Sequence, residues 1–275
     1  MATLVAFHAH PDDECLLQSG SLSKAVDDGH RVVVVYATGG ELGSVPDGLL
    51  APGETLTARR VAEAEASAAA TGAQRIVWLG YHDSGMEGDE ANGDPRSFFQ
   101  ADVDTAARRL ADVLEEEAAD VLTIYDDPGN YGHPDHVQVY RVGGRAAELA
   151  GVEHVLEVTL NRDHIRRMMA AARDAGDLDE SAPEAQMDLD DPTFVLGTEE
   201  ELITTTIDVT PWLDRKRRAI EAHASQVVDT GFFLAMPPDA FARALSTEFY
   251  IRRGVPAGHR DHDLFAGVAT AEAAS

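Results

Sequence analysis

Four apolar runs in the first half of the chain predict strands that are buried on both faces. They are dense in valine, isoleucine and leucine, and apolar and polar positions do not alternate cleanly along them. Such runs are typical of parallel strands covered by helices on both sides. The four runs are TLVAF (3–7), RVVVVYAT (31–38), RIVWLG (75–80) and DVLTIY (120–125).

Helical patterns separate these runs, so strand and helix alternate throughout the first half. Because parallel strands are joined by right-handed helical crossovers, this alternation predicts a Rossmann-like three-layer α/β sandwich with a mostly parallel sheet. A further helix should begin near residue 133, followed by a strand over 154–160. The helices predicted between the four runs span residues 14–28, 56–71 and 102–119.

The regular alternation weakens in the second half of the chain. Residues 173–192 are acidic and poor in apolar side chains, which predicts a mobile loop or lid flanked by helix. Beyond it we predict a strand over 201–210, a helix over 211–226 with proline in its first turn, and a last strand over 246–254. We therefore expect a single domain in four parts: a Rossmann-like core (1–160), an acidic lid or loop region (161–200), a C-terminal α+β extension (201–266) and a tail (267–275).

The first strand ends in the polar sequence HAHPDDEC, residues 8–15. Open α/β sheets usually bind ligands at this end of their strands. His10 and Asp13 are three positions apart in a tight loop, so both can bind one divalent transition metal. The intervening Asp12 points elsewhere and can take a proton from a metal-activated water. Glu14 is explained as a first-turn residue that complements the helix dipole.

A second polar motif, YGHPDHVQ (131–138), follows the fourth strand. Pro134 fits the first turn of a helix, so His133 and His136 project from one face at its start. One can bind the metal while the other donates a proton or a hydrogen bond. In a parallel sheet both motifs lie at the same edge. Two histidines and one carboxylate also hold Fe(II) in oxygenases, but those enzymes are all-β barrels.

These two motifs resemble those of the PIG-L/LmbE-like family of zinc-dependent N-deacetylases, and the likeness extends over most of the chain. The branch most similar contains the mycothiol-pathway deacetylase and amidase. The resemblance implies a Rossmann-like fold, zinc bound by His10, Asp13 and His136, and Asp12 as the general base. Three further segments support it, namely TGGELG (38–43), GYHDSGM (80–86) and AHASQ (222–226).

The resemblance also implies roles around the metal. His133, oriented by Asp135, would act as an acid or an electrostatic stabiliser, and Tyr131 would polarise the amide oxygen. Three other positions match family residues that contact the sugar or line its pocket, although each also has a structural explanation as a surface cation, a turn residue or a packed imidazole. They are Arg60, Asp83 and His223, in that order.

The implied reaction is hydrolysis of the N-acetyl group of an N-acetylglucosamine-type conjugate. An amidase acting on a mycothiol S-conjugate is the alternative within the family. Ser44 and Leu17 stand where the mycothiol branch typically has a glutamate and a polar residue, which predicts a weaker preference for the inositol conjugate and favours a less polar aglycone. A non-catalytic nucleotide- or sugar-binding module is disfavoured, because no G-x-G-x-x-G opens the first helix.

The net charge of the chain limits the classes of molecule that it is expected to bind. The chain has 22 basic and 49 acidic residues, a net charge of -27, which disfavours nucleic acid and anionic membranes and leaves a small-molecule substrate. No apolar run approaches the roughly 20 residues of a membrane span. The single cysteine, Cys15, excludes an internal disulfide, and no signal peptide is evident, so we expect a cytoplasmic protein. A homo-oligomer is compatible with the sequence.

Overall fold

The computed structural model describes residues 1–176, 187–191 and 193–268. Its strands are β1 Thr3–His8, β2 Arg31–Thr38, β3 Arg75–Tyr81, β4 Val121–Tyr125, β5 His154–Thr159, β6 Thr205–Asp208 and β7 Thr247–Arg252. They form one sheet in the order β3-β2-β1-β4-β5-β7-β6. Neighbouring strands among β1 to β5 pair in parallel, whereas β7 runs antiparallel to both β5 and β6. The predicted mostly parallel α/β sheet is confirmed.

Helices cover both faces of this sheet. α4 (Val103–Glu116) packs against α6 (Pro134–Ala150), and α3 (Leu56–Thr71) packs against α8 (Leu213–Ala222). α8 also contacts α1 (Asp13–Leu17) and α2 (Ser19–Asp27). The strand residues between these layers form the main core, in which β1, β2 and β4 are almost entirely inaccessible to solvent. In the described residues the helices are α1 Asp13–Leu17, α2 Ser19–Asp27, α3 Leu56–Thr71, α4 Val103–Glu116, α5 Gly129–Gly132, α6 Pro134–Ala150, α7 Arg162–Ala175, α8 Leu213–Ala222, α9 Val227–Ala235 and α10 Pro238–Leu245.

The helix predicted over 14–28 is two helices that meet at Gln18. Gln18 leaves helical geometry with φ -151° and ψ 11°, and its buried side chain lies 2.7 Å from Nε2 of His8. The break creates a new helix N-terminus, at which the backbone N–H groups of Gly20 and Ser21 donate to the carboxylate of Glu248. A contact between residues so far apart in sequence overrides the local helical pattern.

The second half contains more helix than the sequence pattern predicted. α7 occupies the beginning of the 161–200 region, and α9 and α10 lie between the predicted helix and the last strand. β6 is shorter than the predicted strand over 201–210. Most of the acidic stretch, residues 177–186 and 192, and the end of the tail, 269–275, lie outside the described residues. No described helix has the length and apolar character that crossing a membrane requires.

Candidate active site

The two histidine motifs meet at one edge of the sheet. β1 and β4 are parallel neighbours, so the loops that follow them lie side by side, as the sequence predicted. His10 lies on the first loop, Asp13 opens α1, and His136 lies in the first turn of α6. All three side chains are largely buried. The topology thus collects imidazole and carboxylate donors in one pocket.

Asp13 lies between two imidazole rings. Its Oδ1 is 3.2 Å from Nε2 of His136, and its Oδ2 is 3.5 Å from Nδ1 of His10. The backbone N–H of His10 also donates to Oδ2, at 2.9 Å, which fixes the carboxylate. Ligands about 2.0–2.2 Å from a tetrahedral zinc ion lie roughly 3.3–3.5 Å from one another. The two contacts of Asp13 therefore have the ligand-to-ligand spacing of a zinc site.

Other donors lie close to this group. Atoms of His10, His133 and His136 lie within 4.8 Å of one another, and so do atoms of His10, Asp83 and Asp135. His10 belongs to both of these sets, whereas Asp13 belongs to neither and contacts His10 and His136 pairwise. The donor cluster is therefore wider than the three predicted ligands, and all its members are buried.

Asp12 has an unusual backbone conformation. Its φ of 115° and ψ of -26° lie in a region that favours glycine, and such a residue costs on the order of 1–3 kcal/mol. Its backbone N–H donates to Oε2 of Glu14 at 3.0 Å, and its Oδ1 accepts from Arg60 at 3.0 Å. Burial raises the pKa of the Asp12 carboxyl to about 6, against the attraction of the Arg60 guanidinium.

Arg60 and Asp83 lie at the site, but the two terminal nitrogens of Arg60 and both carboxylate oxygens of Asp83 are engaged within the protein. Arg60 is buried and also donates to the carbonyl oxygens of Pro11 and Gly40, so it ties the Asp12 loop to the loop after β2. Asp83 accepts from the backbone N–H of Leu42 at 3.1 Å, and its Oδ1 lies 3.6 Å from Nε2 of His10. Both side chains shape the pocket, and substrate contact by either stays a prediction.

The contacts of Asp135 differ from those that the family resemblance implied. Its carboxylate Oδ2 lies 3.3 Å from Nε2 of His10 and accepts from the backbone N–H of Ser84 at 2.9 Å. Only its backbone N–H reaches His133, donating to Nδ1 at 3.1 Å, because His133 caps the N-terminus of α6. The carboxylate of Asp135 therefore orients His10, in the way that carboxylates commonly orient metal-binding histidines.

The hydrogen bond to Nδ1 also defines the state of the His133 ring. A nitrogen that accepts from an N–H group carries no proton, so the proton of the neutral ring lies on Nε2. Burial, together with the neighbouring His10 and His136, lowers the pKa of His133 to about 3. The ring is thus a neutral donor through Nε2.

Tyr131 reaches the site from the short helix α5. Its hydroxyl lies 3.3 Å from Nε2 of His136, and the side chain is 43% exposed, so it faces the opening. The preceding Asn130 has φ 62° and ψ -56°, and its side-chain amide donates to Asp126 and to the carbonyl of Val158. Buried polar contacts thus fix the turn that presents Tyr131.

His223 lies behind the pocket instead of on its surface. The ring is fully buried, with Nε2 2.8 Å from Oε1 of Glu14. Burial opposes a charged ring, but Glu14 raises the pKa of His223 above its usual value. A direct contact with substrate would require this segment to move. Glu14 itself, assigned from the sequence only to the helix dipole, is the buried partner that local reasoning missed.

The chain is similar in sequence to a known family and to named deacetylases. Residues 5–147 match the family described as PIG-L: GlcNAc-PI de-N-acetylase. The chain is 40% identical to the 1D-myo-inositol 2-acetamido-2-deoxy-alpha-D-glucopyranoside deacetylase of Acidothermus cellulolyticus, over 98% of this chain and 97% of that protein. It is 38% identical to the protein of the same name from Streptomyces griseus, covering 96% and 88% of the two chains.

A solved structure shares the fold at lower identity. The N,N'-diacetylchitobiose deacetylase from Pyrococcus horikoshii superimposes with a TM-score of 0.56 at 22% identity, over 99% of this chain and 88% of that one. The family match contains both His-Pro-Asp motifs, and the relatives align over almost the whole chain. The predicted deacetylase is confirmed, and the chain belongs to the PIG-L family of de-N-acetylases.

Proposed function

We propose that this deacetylase removes the N-acetyl group from an N-acetylglucosamine-type conjugate, with a zinc ion held by His10, Asp13 and His136 and with Asp12 as the general base. The observation that carries the proposal is the spacing of the imidazole nitrogens around the two oxygens of Asp13, next to a carboxylate outside that set. The names of the relatives support the choice of an acetylated amino sugar.

The donor set suits a catalytic transition metal. Two imidazoles and one carboxylate leave a coordination position open, as catalytic zinc sites do. A divalent ion there supplies Lewis acidity that activates water and polarises an amide carbonyl. The same ligands accept Fe(II), and the supply of metal in the cell selects between the two.

Asp12 supports the role of proton acceptor by its position. Its carboxylate adjoins the donor set, is 18% exposed and accepts from Arg60 on Oδ1. A base must reach the proton that it removes, and a raised pKa suits it to hold that proton near neutral pH. Arg60 fixes the direction of the carboxylate without enclosing it.

His133 and Tyr131 support charge stabilisation on the oxygen side of the amide. The neutral His133 ring donates through Nε2, and the Tyr131 hydroxyl is a second donor, with the two ring centres 6.3 Å apart. Donors placed where negative charge develops stabilise a tetrahedral intermediate. The neutral ring favours a stabiliser over a charged general acid for His133.

Ser44 is the residue that we expect to influence specificity for the group attached to the amino sugar. Ser44 is exposed, and its carbonyl accepts from Gln226 at 3.2 Å, so the loop that carries it is fixed. A serine there offers less hydrogen-bonding capacity to a polyol than a glutamate, which supports a weakened preference for the inositol conjugate. Leu17 adds little to this argument, because it is partly buried and packs against the main core.

A substrate panel tests the proposal. Amine release is measured with N-acetylglucosamine, its inositol conjugate, a mycothiol S-conjugate and a glycoside with an apolar aglycone. We expect hydrolysis of the N-acetylglucosamine compounds with less than about tenfold preference for the inositol conjugate, and Ser44→Glu, but not Ser44→Gln, should raise that preference. Turnover of the S-conjugate alone would identify an amidase, and no turnover by metal-loaded protein would refute the amino-sugar assignment.

Metal analysis tests the ligand set separately. The wild type should retain one divalent ion per chain, and His136→Ala should lose it because one of three protein ligands is gone. His164→Ala is the matched control, since His164 lies on α7 beside Phe249, away from the donor cluster. Full metal content in His136→Ala would overturn the assignment.

A further inference from the structure

The segment 222–226, at the end of α8 and just beyond it, is bonded to α1, to α3 and to the loop that carries Ser44. Nε2 of His223 lies 2.8 Å from Oε1 of Glu14. The backbone N–H and hydroxyl of Ser225 donate to the two carboxylate oxygens of Glu63 on α3, at 2.9 and 2.6 Å. The C-terminal extension is thereby attached directly behind the loop that carries the proposed base.

Glu14 is the link between this segment and Asp12. Its Oε1 accepts from the hydroxyl of Ser67 at 2.6 Å and faces His223. Its Oε2 accepts the backbone N–H of Asp12 at 3.0 Å. Glu14 is 2% exposed, and His223 is fully enclosed. The carboxylate thus has partners on α3, on the C-terminal extension and on the loop after β1.

Asp12 needs such support because its backbone is strained. A non-glycine residue at φ 115° keeps that conformation only where its surroundings enforce it. Arg60 holds one side of the loop through Pro11 and the Asp12 carboxylate. Glu14 holds the other side through the backbone N–H. Neither Glu14 nor His223 lies where it can touch a substrate, since both are enclosed.

We propose that Glu14 and His223 are positioning residues that hold Asp12 in its strained, reactive conformation, so that the C-terminal extension supports the base through a buried carboxylate. The inference rests on the proposed function, which makes Asp12 the base. Without Glu14 the backbone N–H of Asp12 loses its acceptor, and the loop relaxes toward ordinary φ values. A displacement of about 1 Å in a catalytic group can cost about a hundredfold in rate.

Replacement of Glu14 tests the link. Glu14→Ala should lower kcat about tenfold to a hundredfold, with KM and metal content within about twofold of wild type, because Asp12 acts on the chemical step. Glu14→Gln should restore most of kcat, since its amide oxygen can accept from Asp12 while its NH₂ group donates to Ser67 and neutral His223. Equal losses in both variants would overturn the proposal.

A double-mutant cycle separates positioning from general stability. In an Asp12→Asn background, Glu14→Ala and His223→Ala should cause little further loss of kcat, because both act through Asp12. If Glu14→Ala fails to fold, Ser67→Ala removes one bond to the same carboxylate at a smaller loss of volume. Additive losses with either substitution would show that the supports do not act through the base.

Ser225→Ala is the matched control, because it removes a bond of the same segment that does not lead to Asp12. It should lower Tm and leave kcat within about twofold of wild type. A loss of kcat equal to that of His223→Ala would show that the loss of activity comes from general disruption of the segment 222–226. That result would overturn the inference. A near-normal kcat in Asp12→Asn would refute the proposed function itself, whereas a large loss there with no effect of Glu14→Ala would refute only the positioning role.

Discussion

Two buried clusters of charge lie at the N-termini of consecutive helices, and they are built differently. At α2 the carboxylate of Glu248 receives Lys216 at 2.6 Å and the backbone N–H groups of Gly20 and Ser21 at 2.9 and 2.8 Å. Both charged side chains are 1% exposed. Each oxygen of Glu248 therefore has a donor, and the helix N-terminus adds favourable electrostatics.

The cluster beside α1, which also includes the start of α6, is paired less completely. Among the described residues, Oδ1 of Asp135 and Nδ1 of His136 on α6 are buried and have no hydrogen-bond partner. Asp12 combines a strained backbone with a carboxylate bonded on one oxygen. A cluster whose charged groups are paired stabilises one structure, whereas incompletely paired charged groups keep the capacity to bind a metal or a proton. The charged groups at α2 therefore stabilise the fold, whereas those beside α1 are the proposed reactive groups.

The largest expected effect is on activity at α1. Asp12→Asn should lower kcat by about a thousandfold or more with metal content unchanged, because the amide cannot take the proton of the attacking water. Steady-state kinetics and elemental analysis of the same preparation measure both. Asp12→Glu, which keeps the carboxylate, is the control and should retain more activity than the amide. A kcat of Asp12→Asn near that of wild type would show that another group is the base. The two clusters would then not differ in the way described.

The opposite effect is expected at α2. Glu248→Gln should lower the free energy of unfolding by about 3–5 kcal/mol, because it leaves Lys216 buried without a counter-charge. The kcat of the folded fraction should stay near wild type. Replacing both partners, as Lys216→Met with Glu248→Gln, should recover part of the loss. Denaturant titration measures the stability, and a variant that loses activity but not stability would assign this cluster to the reaction.

His133 tests the comparison further, because it has both a structural role and a proposed catalytic role. It caps α6 through Nδ1 and is the proposed donor through Nε2. His133→Ala should lower kcat about a hundredfold and stability by about 1 kcal/mol. His133→Asn should restore the cap, and so the stability, without restoring kcat. Paired kinetic and denaturation measurements test this, and recovery of kcat with the cap would make His133 a structural residue.

Local sequence predicted the parallel half of the fold well, because strands buried on both faces have a clear apolar pattern. β1 to β5 and α3 lie within a residue or two of their predicted bounds. α7 was predicted only as a helix flanking the acidic stretch, without bounds, because the regular alternation of strands and helices weakens there. The break at Gln18 was invisible for a different reason, which is that Glu248, the partner of the new helix end, lies 228 positions from Gly20.

The same limit applies to the site. Spacing within each motif predicted which donors meet, because His10 and Asp13, and His133 and His136, are close in sequence and follow neighbouring strands. The partners of those donors were not predictable. Glu14 and His223 are 209 positions apart, and the contact of Asp135 with His10 depends on how two loops pack. Motifs specify reactive groups, whereas tertiary packing specifies what holds them.

The attachment of the C-terminal extension has a consequence for the order in which the enzyme matures. Translation produces the N-terminal residues first, at about 5–20 residues per second, so Asp12, Asp13 and His136 leave the ribosome well before the rest. His223 and Glu248, which stabilise the first two helices, are made later. A nascent chain therefore carries its reactive groups before their buried supports exist. We therefore expect the proposed base to gain its full support only after His223 has been made.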